Sequence, residues 1–503
     1  MRLWWIAVLG CNPTGTLGVP GEDGAADADT DTDADTDADA DPTSSTTATT
    51  TTTATGTAVA ACVNDADNAL RVICTVTVDP PQPVEIRFAP TAGGADRVAL
   101  SDTPQATHTV TVWRMFELTD YTFTATGLDT GAHTSGSWTT PRVPDVFRVD
   151  PQLSAGVPTT MTDDLLFQMG CGEPFAAAID TAGKLVWYQP LARGLPGGNH
   201  SVQGISFSPD REVVAILDNE HVRRFGLDGS LRMDARGGTG GLRPPLHHDV
   251  FSRDGYTWVL AANSYRYNGV DYVIDSVFAL DPTGVVLAEF RLVDLLTPDG
   301  SGGPGGFGGY WAMEFPGDTD WSHGNGIYVT EAYELLVSFY ELDGILAVGG
   351  DPTAADFGQL RWTLETSTSS PLVSDYAVID PAGLTADETF GNQHHPSLQP
   401  DGSLLMFDNG GGFANARGLQ LGLDLAAGTA EILGSWPLPE SCAFEGGAYF
   451  ADNGDVLLTC APTRQIYQLD AASGQILQAY NPECEQSAGF GGPFLARGIP
   501  VAL

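Results

Sequence analysis

A short pattern recurs six times along the chain: an apolar strand, a turn led by aspartate and containing glycine, and a second strand. It reads Ile179-Asp180-Thr181-Ala182-Gly183-Lys184-Leu185, then Leu227-Asp228-Gly229-Ser230-Leu231, then Leu280-Asp281-Pro282-Thr283-Gly284-Val285. A looser copy runs from Asp351 to Trp362, and the last two begin at Leu423-Asp424 and Leu469-Asp470. Successive copies are 48, 53, 70, 73 and 46 residues apart. A repeat of this size cannot bury its apolar face alone and must stack on its neighbours. A second hairpin turn precedes most copies, as at Ser208-Pro209-Asp210, Asp254-Gly255, Asp401-Gly402 and Asn453-Gly454. Two hairpins make four strands, and six four-stranded units predict an all-β fold, a six-bladed β-propeller over residues 146–503. The repeats exceed a minimal blade, so some carry long loops; the glycine-rich stretch 302–309 is one and predicts mobility.

The upstream segments differ in kind. Residues 61–145 alternate apolar and polar positions in short runs (70–78, 84–88, 107–112), broken at Asp79-Pro80-Pro81 and Thr91-Ala92-Gly93-Gly94. That spacing predicts a small immunoglobulin- or fibronectin-like β-sandwich. Residues 12–60 are rich in Asp and Thr, with nine aspartates and one glutamate between 22 and 41. Such a segment buries almost nothing, repels itself and is expected to be a disordered tether. Residues 1–11 read as a signal peptide of the lipoprotein type, a basic residue and a short apolar run ending Gly10-Cys11. Cys11 is the expected lipidation site, which places the protein outside the cytoplasm, in the periplasm or on the surface of a bacterium, with membrane contact only through that anchor.

Charge and cysteine narrow the partners. With 64 acidic against 22 basic residues the formal charge is −42, a field that repels nucleic acid and anionic lipid. Six cysteines remain after Cys11, an even number that suits disulfides in an exported chain; Cys62 and Cys74 are near enough in sequence to pair, and the other connectivities stay open. No CxxC spacing occurs, so no zinc or other metal site is expected, and no cofactor is implied.

Nine histidines occur, and six fall in four segments placed just before predicted hairpins. These are Asn199-His200-Ser201, His247-His248-Asp249, Asp320-Trp321-Ser322-His323-Gly324-Asn325 and Gln393-His394-His395. In successive blades, similar positions converge on one channel mouth, so His200, His248, His323 and His394 are expected to meet there, while the matching place in the last blade carries Glu445. Asp249 and Asn325 stand ready to orient the rings, or else to form turns. Clustered imidazoles suit metal binding, acid–base work or nucleophilic catalysis.

The motifs His247-His248-Asp249, Asp320-Trp321-Ser322-His323-Gly324-Asn325, Gln393-His394 and Phe407-Asp408-Asn409-Gly410, with the tryptophans Trp187 and Trp362, resemble the bacterial arylsulfate sulfotransferases over residues ~160–500. The resemblance implies an exported propeller behind a small sandwich. It also implies sulfuryl transfer from an aryl sulfate to a phenol without 3′-phosphoadenosine-5′-phosphosulfate. By the same resemblance His394 is the nucleophile that forms a sulfohistidine, and His248 and His323 stabilise the sulfuryl oxygens and handle the phenolic proton. This chain departs from the family at Tyr340, where the family has arginine, and at His395, where it tends to have an acid. His247, His395 and Arg417 are candidates to make up the lost charge. The departures leave a second expectation, a surface propeller that binds a ligand without transferring sulfuryl groups. The donor, the acceptor and the oligomeric state are not legible.

Overall fold

The computed structural model describes residues 49–50, 56–154, 159–198, 200–298, 303–304, 310–366, 372–386, 388–412, 416–484 and 497–503. The expected signal peptide, Cys11, nearly all of the expected tether, Asn199 and most of the 302–309 loop lie outside them. The all-β expectation holds, with 56% strand against 2% helix. The chain divides into two compact units, one of Met1–Val112 with Leu118–Pro141 and one of Trp113–Glu117 with Arg142–Leu503.

In the first unit the strands form one hydrogen-bonded six-stranded sheet. Its first long strand, Thr57–Asp65, starts inside the segment that composition assigns to the tether. Asn68–Pro90 pairs with Thr57–Asp65 through its first half and with Asp120–Gly127 through its second. Asp79-Pro80-Pro81 therefore does not end a strand. The ladder to Arg97–Val112 skips between Thr77 and Gln82, so the prolines sit where no backbone donor is required. Cys62 and Cys74 face one another in register at disulfide distance. Phe88, Tyr121, Phe123 and Trp138 pack as an aromatic cluster in the core.

The second unit contains six antiparallel sheets in chain order, each with a four-stranded core. The first comprises Asp164–Gly170, Pro174–Ile179 and Leu185–Pro190, and its fourth strand is Gly498–Val501, which pairs with Asp164–Phe167. The second runs from Val202–Phe207 to Leu231–Arg236, the third from Leu246–Arg253 to Val286–Arg291, and the fourth from Gly324–Val329 to Leu360–Glu365. The fifth runs from His394–Leu398 to Thr429–Pro437, and the sixth from Gly447–Phe450 to Ile476–Tyr480. The six aspartate-led turns all join the two outer strands of their four-stranded cores. In each of them a glycine takes the left-handed conformation: Gly183, Gly229, Gly284, Gly358, Gly428 and Gly474. In five of these an aspartate carboxylate accepts two or more bonds from turn groups, as Asp281 does from the backbone N–H groups of Thr283 and Val285.

The innermost strands lie side by side. Val202–Phe207 contacts Leu246–Arg253, which contacts Gly324–Val329, followed by His394–Leu398 and Gly447–Phe450. Gly447–Phe450 meets Gly498–Val501, which touches Val202–Phe207 again, so the succession returns to its start. The approach is close enough to require glycine. A Cβ on Gly204 would stand 2.3 Å from the His248 carbonyl oxygen, and one on Gly326 would stand 2.9 Å from the His395 nitrogen. Outer tryptophans staple neighbouring sheets. Trp187 Nε1 donates to the Leu227 carbonyl at 2.9 Å, Trp258 to Gly350 at 3.1 Å and Trp436 to Ala471 at 2.9 Å.

Trp258 is fully buried, so Trp258→Phe leaves the Gly350 carbonyl without its donor and a void beside it. The expected cost is about 1–3 kcal/mol for the lost bond, with more for the void. A urea titration should show a lower midpoint with an unchanged slope.

Candidate active site

Each histidine sits where its inner strand begins, and the start is irregular in every case. The ladder breaks between Leu246 and Val250, between Gly324 and Gly326, and between His394 and Ser397. His248 and His323 take left-handed backbone conformations there, which turn their rings out of the regular pleat. The histidines are neighbours in space without sharing one register. His248 precedes the left-handed residue of its hairpin, Gly255, by seven positions; His323 precedes Tyr333 by ten and His394 precedes Gly402 by eight.

Three of the four expected histidines come together. The rings of His248 and His323 are 4.9 Å apart. Tyr340 lies between the other two, 5.5 Å from His323 and 6.0 Å from His394. Glu445 links His394 to His248: its backbone N–H donates to His394 Nε2 at 3.2 Å, and its carboxylate Oε1 is 3.6 Å from His248 Nε2. His200 is held elsewhere, its Nδ1 2.6 Å from Asp218, and no hydrogen bond or ring contact among the described residues joins it to the other three. The expectation that it shares the site is corrected, because Asp218 captures it at the hairpin of its own sheet.

The three rings are the same residue in three different states. His394 Nδ1 faces two acceptors, the Asn392 carbonyl at 3.0 Å and Asn409 Oδ1 at 2.8 Å. The Asn409 amide is fixed in that sense because its nitrogen donates to the carbonyls of Cys442 and Glu445. Nδ1 therefore carries the proton and Nε2 presents a lone pair. Burial holds the ring neutral, with its pKa lowered to about 3 against the opposing pull of Asn409 and with the charge of His323 adding to the effect. His323 is the opposite case. Burial alone would lower its pKa, but Asp320, 2.5 Å from Nδ1, pushes it up to about 9 through charge and hydrogen bond. It is an imidazolium at neutral pH. His248 lies well below the ordinary range because it is buried beside His323, His247 and His394. His248 Nδ1 is 2.8 Å from His247 Nδ1, and His247 Nε2 is 2.9 Å from Asp275. Asp275 remains ionised although burial opposes this, because His247, Ser322 and Gly324 donate to it.

The other expected site residues divide. Tyr340 stands in the site, fully enclosed, its hydroxyl 3.4 Å from the Ala443 carbonyl. His247 stands behind His248, its ring packed on Trp311 at 4.9 Å. Asp249 does not orient His248. It accepts from Arg497 at 2.6 Å and from the N–H groups of Val250 and Ile327. Nor does Asn325 orient His323, a task that Asp320 performs; Asn325 donates to the Gln393 carbonyl at 2.8 Å. Arg417 braces Asp408 at 2.8 Å and the carbonyl of Thr389, fixing the turn that presents Asn409. His395 faces away from His394 and stacks on Tyr449 at 4.4 Å. With Asp249 and Arg497 it lines a separate cavity of about 230 Å³.

Sequence reading missed Asp320 as the partner of His323, Asn409 as the partner of His394, Arg497, and the aromatic cover of Tyr310 and Trp311. Tyr310 lies 5.0 Å from His248 and 5.4 Å from His323. Glu445, which seemed remote from the imidazoles along the chain, stands among them. Among the described residues no group of three or more His, Cys, Asp or Glu is arranged to hold a metal ion.

Residues 152–420, more than half of the chain, match the family model for Arylsulfotransferase (ASST). No curated protein matches. Among solved structures the chain is similar to a protein of unknown function from Bacteroides caccae, at 13% identity over 68% of this chain and 99% of that one, with a TM-score of 0.39. It is also similar to a catalytically inactive virginiamycin B lyase from Staphylococcus aureus with quinupristin, at 13% identity over 66% and 88%, with a TM-score of 0.35.

The charge states predict opposite pH dependences. Unfolded histidine titrates near ~6.5. The Asp320–His323 pair therefore stabilises fully below that pH, weakens as pH rises and is lost above about 9. His394 is buried neutral, so it destabilises increasingly as pH falls from ~6.5 towards about 3. The melting-temperature deficit of His323→Gln should be largest at pH 6 and shrink by pH 9. His394→Gln should melt higher relative to the parent as pH is lowered from 7 to 4.5.

Proposed function

The chain belongs to the arylsulfotransferase (ASST) family, and from that premise we propose that it is an exported enzyme moving a sulfuryl group from an aryl sulfate to a phenol through a sulfohistidine on His394. The observation that carries this reading is the neutral His394 ring, its Nδ1–H fixed by Asn392 and Asn409 and its Nε2 lone pair facing the cluster. A nucleophile needs that tautomer and that charge state at neutral pH.

The transfer runs in two halves. His394 Nε2 attacks sulfur, the S–O bond to the aryl group breaks, and the phenol leaves with a proton. A second phenol then takes the sulfuryl group from nitrogen and gives up its proton, restoring the ring. The transferred group is anionic throughout, and His323 supplies a fixed positive charge beside it in a water-poor site. His323 thereby covers the charge that arginine supplies elsewhere in the family, and Tyr340 adds a hydroxyl rather than a cation. Tyr310, Trp311 and Tyr340 offer ring faces suited to an aryl group. The six sheets in closed succession support a six-bladed propeller over 146–503, and the change of pairing partner along Asn68–Pro90 supports a small sandwich over 61–145. Three cysteine pairs at disulfide distance, Cys62–Cys74, Cys171–Cys484 and Cys442–Cys460, suit an oxidising compartment. Lipidation at Cys11 completes the proposed placement.

Purified protein with 4-nitrophenyl sulfate should release 4-nitrophenol in a manner that depends on an added phenol, with ping-pong kinetics. His394→Ala should lower turnover by at least about 10³-fold, as loss of a covalent nucleophile does. Absence of turnover across a panel of aryl sulfates, with binding retained, would replace this reading by that of a ligand-binding propeller.

A further inference from the structure

The two half-reactions need a group that gives a proton to one phenolate and takes one from the next. His323 is poorly placed to do so, because Asp320 keeps it protonated well above neutrality. The hydroxyls of Tyr310 and Tyr340 are held above the ordinary phenol range by burial first and by nearby carboxylates second, so neither is a ready proton donor. Glu445 has the required position. It belongs to the loop between Cys442 and Gly447, takes a left-handed backbone conformation, and sits with its carboxyl 3.6 Å from His248 Nε2. Its own N–H occupies the His394 Nε2 lone pair at 3.2 Å. The same residue therefore touches the reacting nitrogen with its backbone and faces a second base with its side chain.

We infer that Glu445 is the acid–base residue of the sulfuryl transfer, an assignment that rests on the sulfotransferase reading and deepens it. In the first half-reaction the Nε2–S bond forms as the S–O(aryl) bond breaks. The carboxylic acid of Glu445 gives its proton to the departing aryl oxygen and becomes carboxylate. The aryl sulfate monoanion, neutral His394 and neutral Glu445 thus become a phenol, a zwitterionic sulfohistidine and a carboxylate, with net charge unchanged. The Glu445 N–H, displaced from the nitrogen that now carries sulfur, is free to donate to a sulfuryl oxygen. In the second half the carboxylate takes the proton of the incoming phenol while that oxygen attacks sulfur, and every group returns to its first state.

The surroundings poise this carboxyl for both roles. Burial raises it first, Arg497 lowers it, Asp249 raises it and His323 lowers it, leaving a pKa of about 7. His248, His394 and Tyr310 face it as well. The first half-reaction requires the protonated form, so its rate should fall as pH rises through about 7. A poor leaving group should need the proton far more than a good one.

The test follows the first half-reaction of the full-length protein with phenyl sulfate and with 4-nitrophenyl sulfate, reading phenol released per enzyme in a rapid-mixing burst. The parent should show an alkaline limb near pH 7 for phenyl sulfate and little or none for 4-nitrophenyl sulfate. Glu445→Gln keeps the shape and the N–H and loses the transferable proton. It should slow phenyl sulfate by about 10²-fold or more while slowing 4-nitrophenyl sulfate only a few-fold, and the limb should vanish. Glu445→Asp should restore the limb in part. Equal losses on both donors, or a limb that survives in Glu445→Gln, would overturn the assignment and leave the sulfotransferase reading standing. If the variant does not fold, a parent profile without a donor-dependent limb overturns it equally. Absence of turnover by the parent on either donor sinks the sulfotransferase reading itself, and the assignment with it.

Discussion

One buried ion pair gathers the sheets of the second unit. Arg497, immediately before the strand that completes the first sheet, donates to Asp249 of the third and to the Ile205 carbonyl of the second. Asp249 also accepts the Ile327 N–H of the fourth. The charge of Arg497 is felt by His395 of the fifth sheet and by Glu445 and Tyr449 beside the sixth. Both partners are almost completely enclosed, so neither charge has water to fall back on. Removing one partner of such a pair typically costs about 3–5 kcal/mol, far more than a surface pair contributes, because the other is left buried and uncompensated. The pair fixes where the inner strands stand relative to one another, and the histidines inherit their spacing from those strands.

The site works by giving one residue type several environments. His394, His248 and His323 are all enclosed, yet only His323 has a carboxylate on its Nδ1. That single difference makes one ring a cation at neutral pH and leaves another neutral. Environments that drive like groups apart are the usual way a fold assigns acid, base and nucleophile. In a chain with a formal charge of −42 the arrangement also solves a local problem, since an anionic sulfuryl group needs positive charge at short range that the bulk of the protein does not provide.

Much of this was legible in the residues. Aspartate and glycine at fixed offsets mark turns whatever the tertiary structure, and all six aspartate-led turns fall at the same connection of their sheets. The histidine segments were visible because histidine is scarce in this chain. The pairings were not visible. Asp249 lies beside His248 in sequence, but its partner is Arg497, 248 positions away, because the break in the strand turns the carboxylate from its neighbour. Asn325 and Arg417 looked like ligands of the site and proved to be braces for Gln393 and Asp408. His200 matched the pattern of the other segments, but Asp218 lay within reach. Glu445 sat at the right place in the last repeat, but nothing in one dimension reveals that a loop tied at Cys442–Cys460 swings it onto two imidazoles.

The strand Gly498–Val501 pairs with Asp164–Phe167, more than three hundred residues earlier in the chain. A polypeptide delivered from its amino end has made every histidine of the cluster before the strand that closes the sheets, and the arginine that precedes it, become available. Until then Asp249 has no counter-charge and the inner strands have no fixed separation. The spacing of the histidine cluster is thus a property of the finished molecule alone.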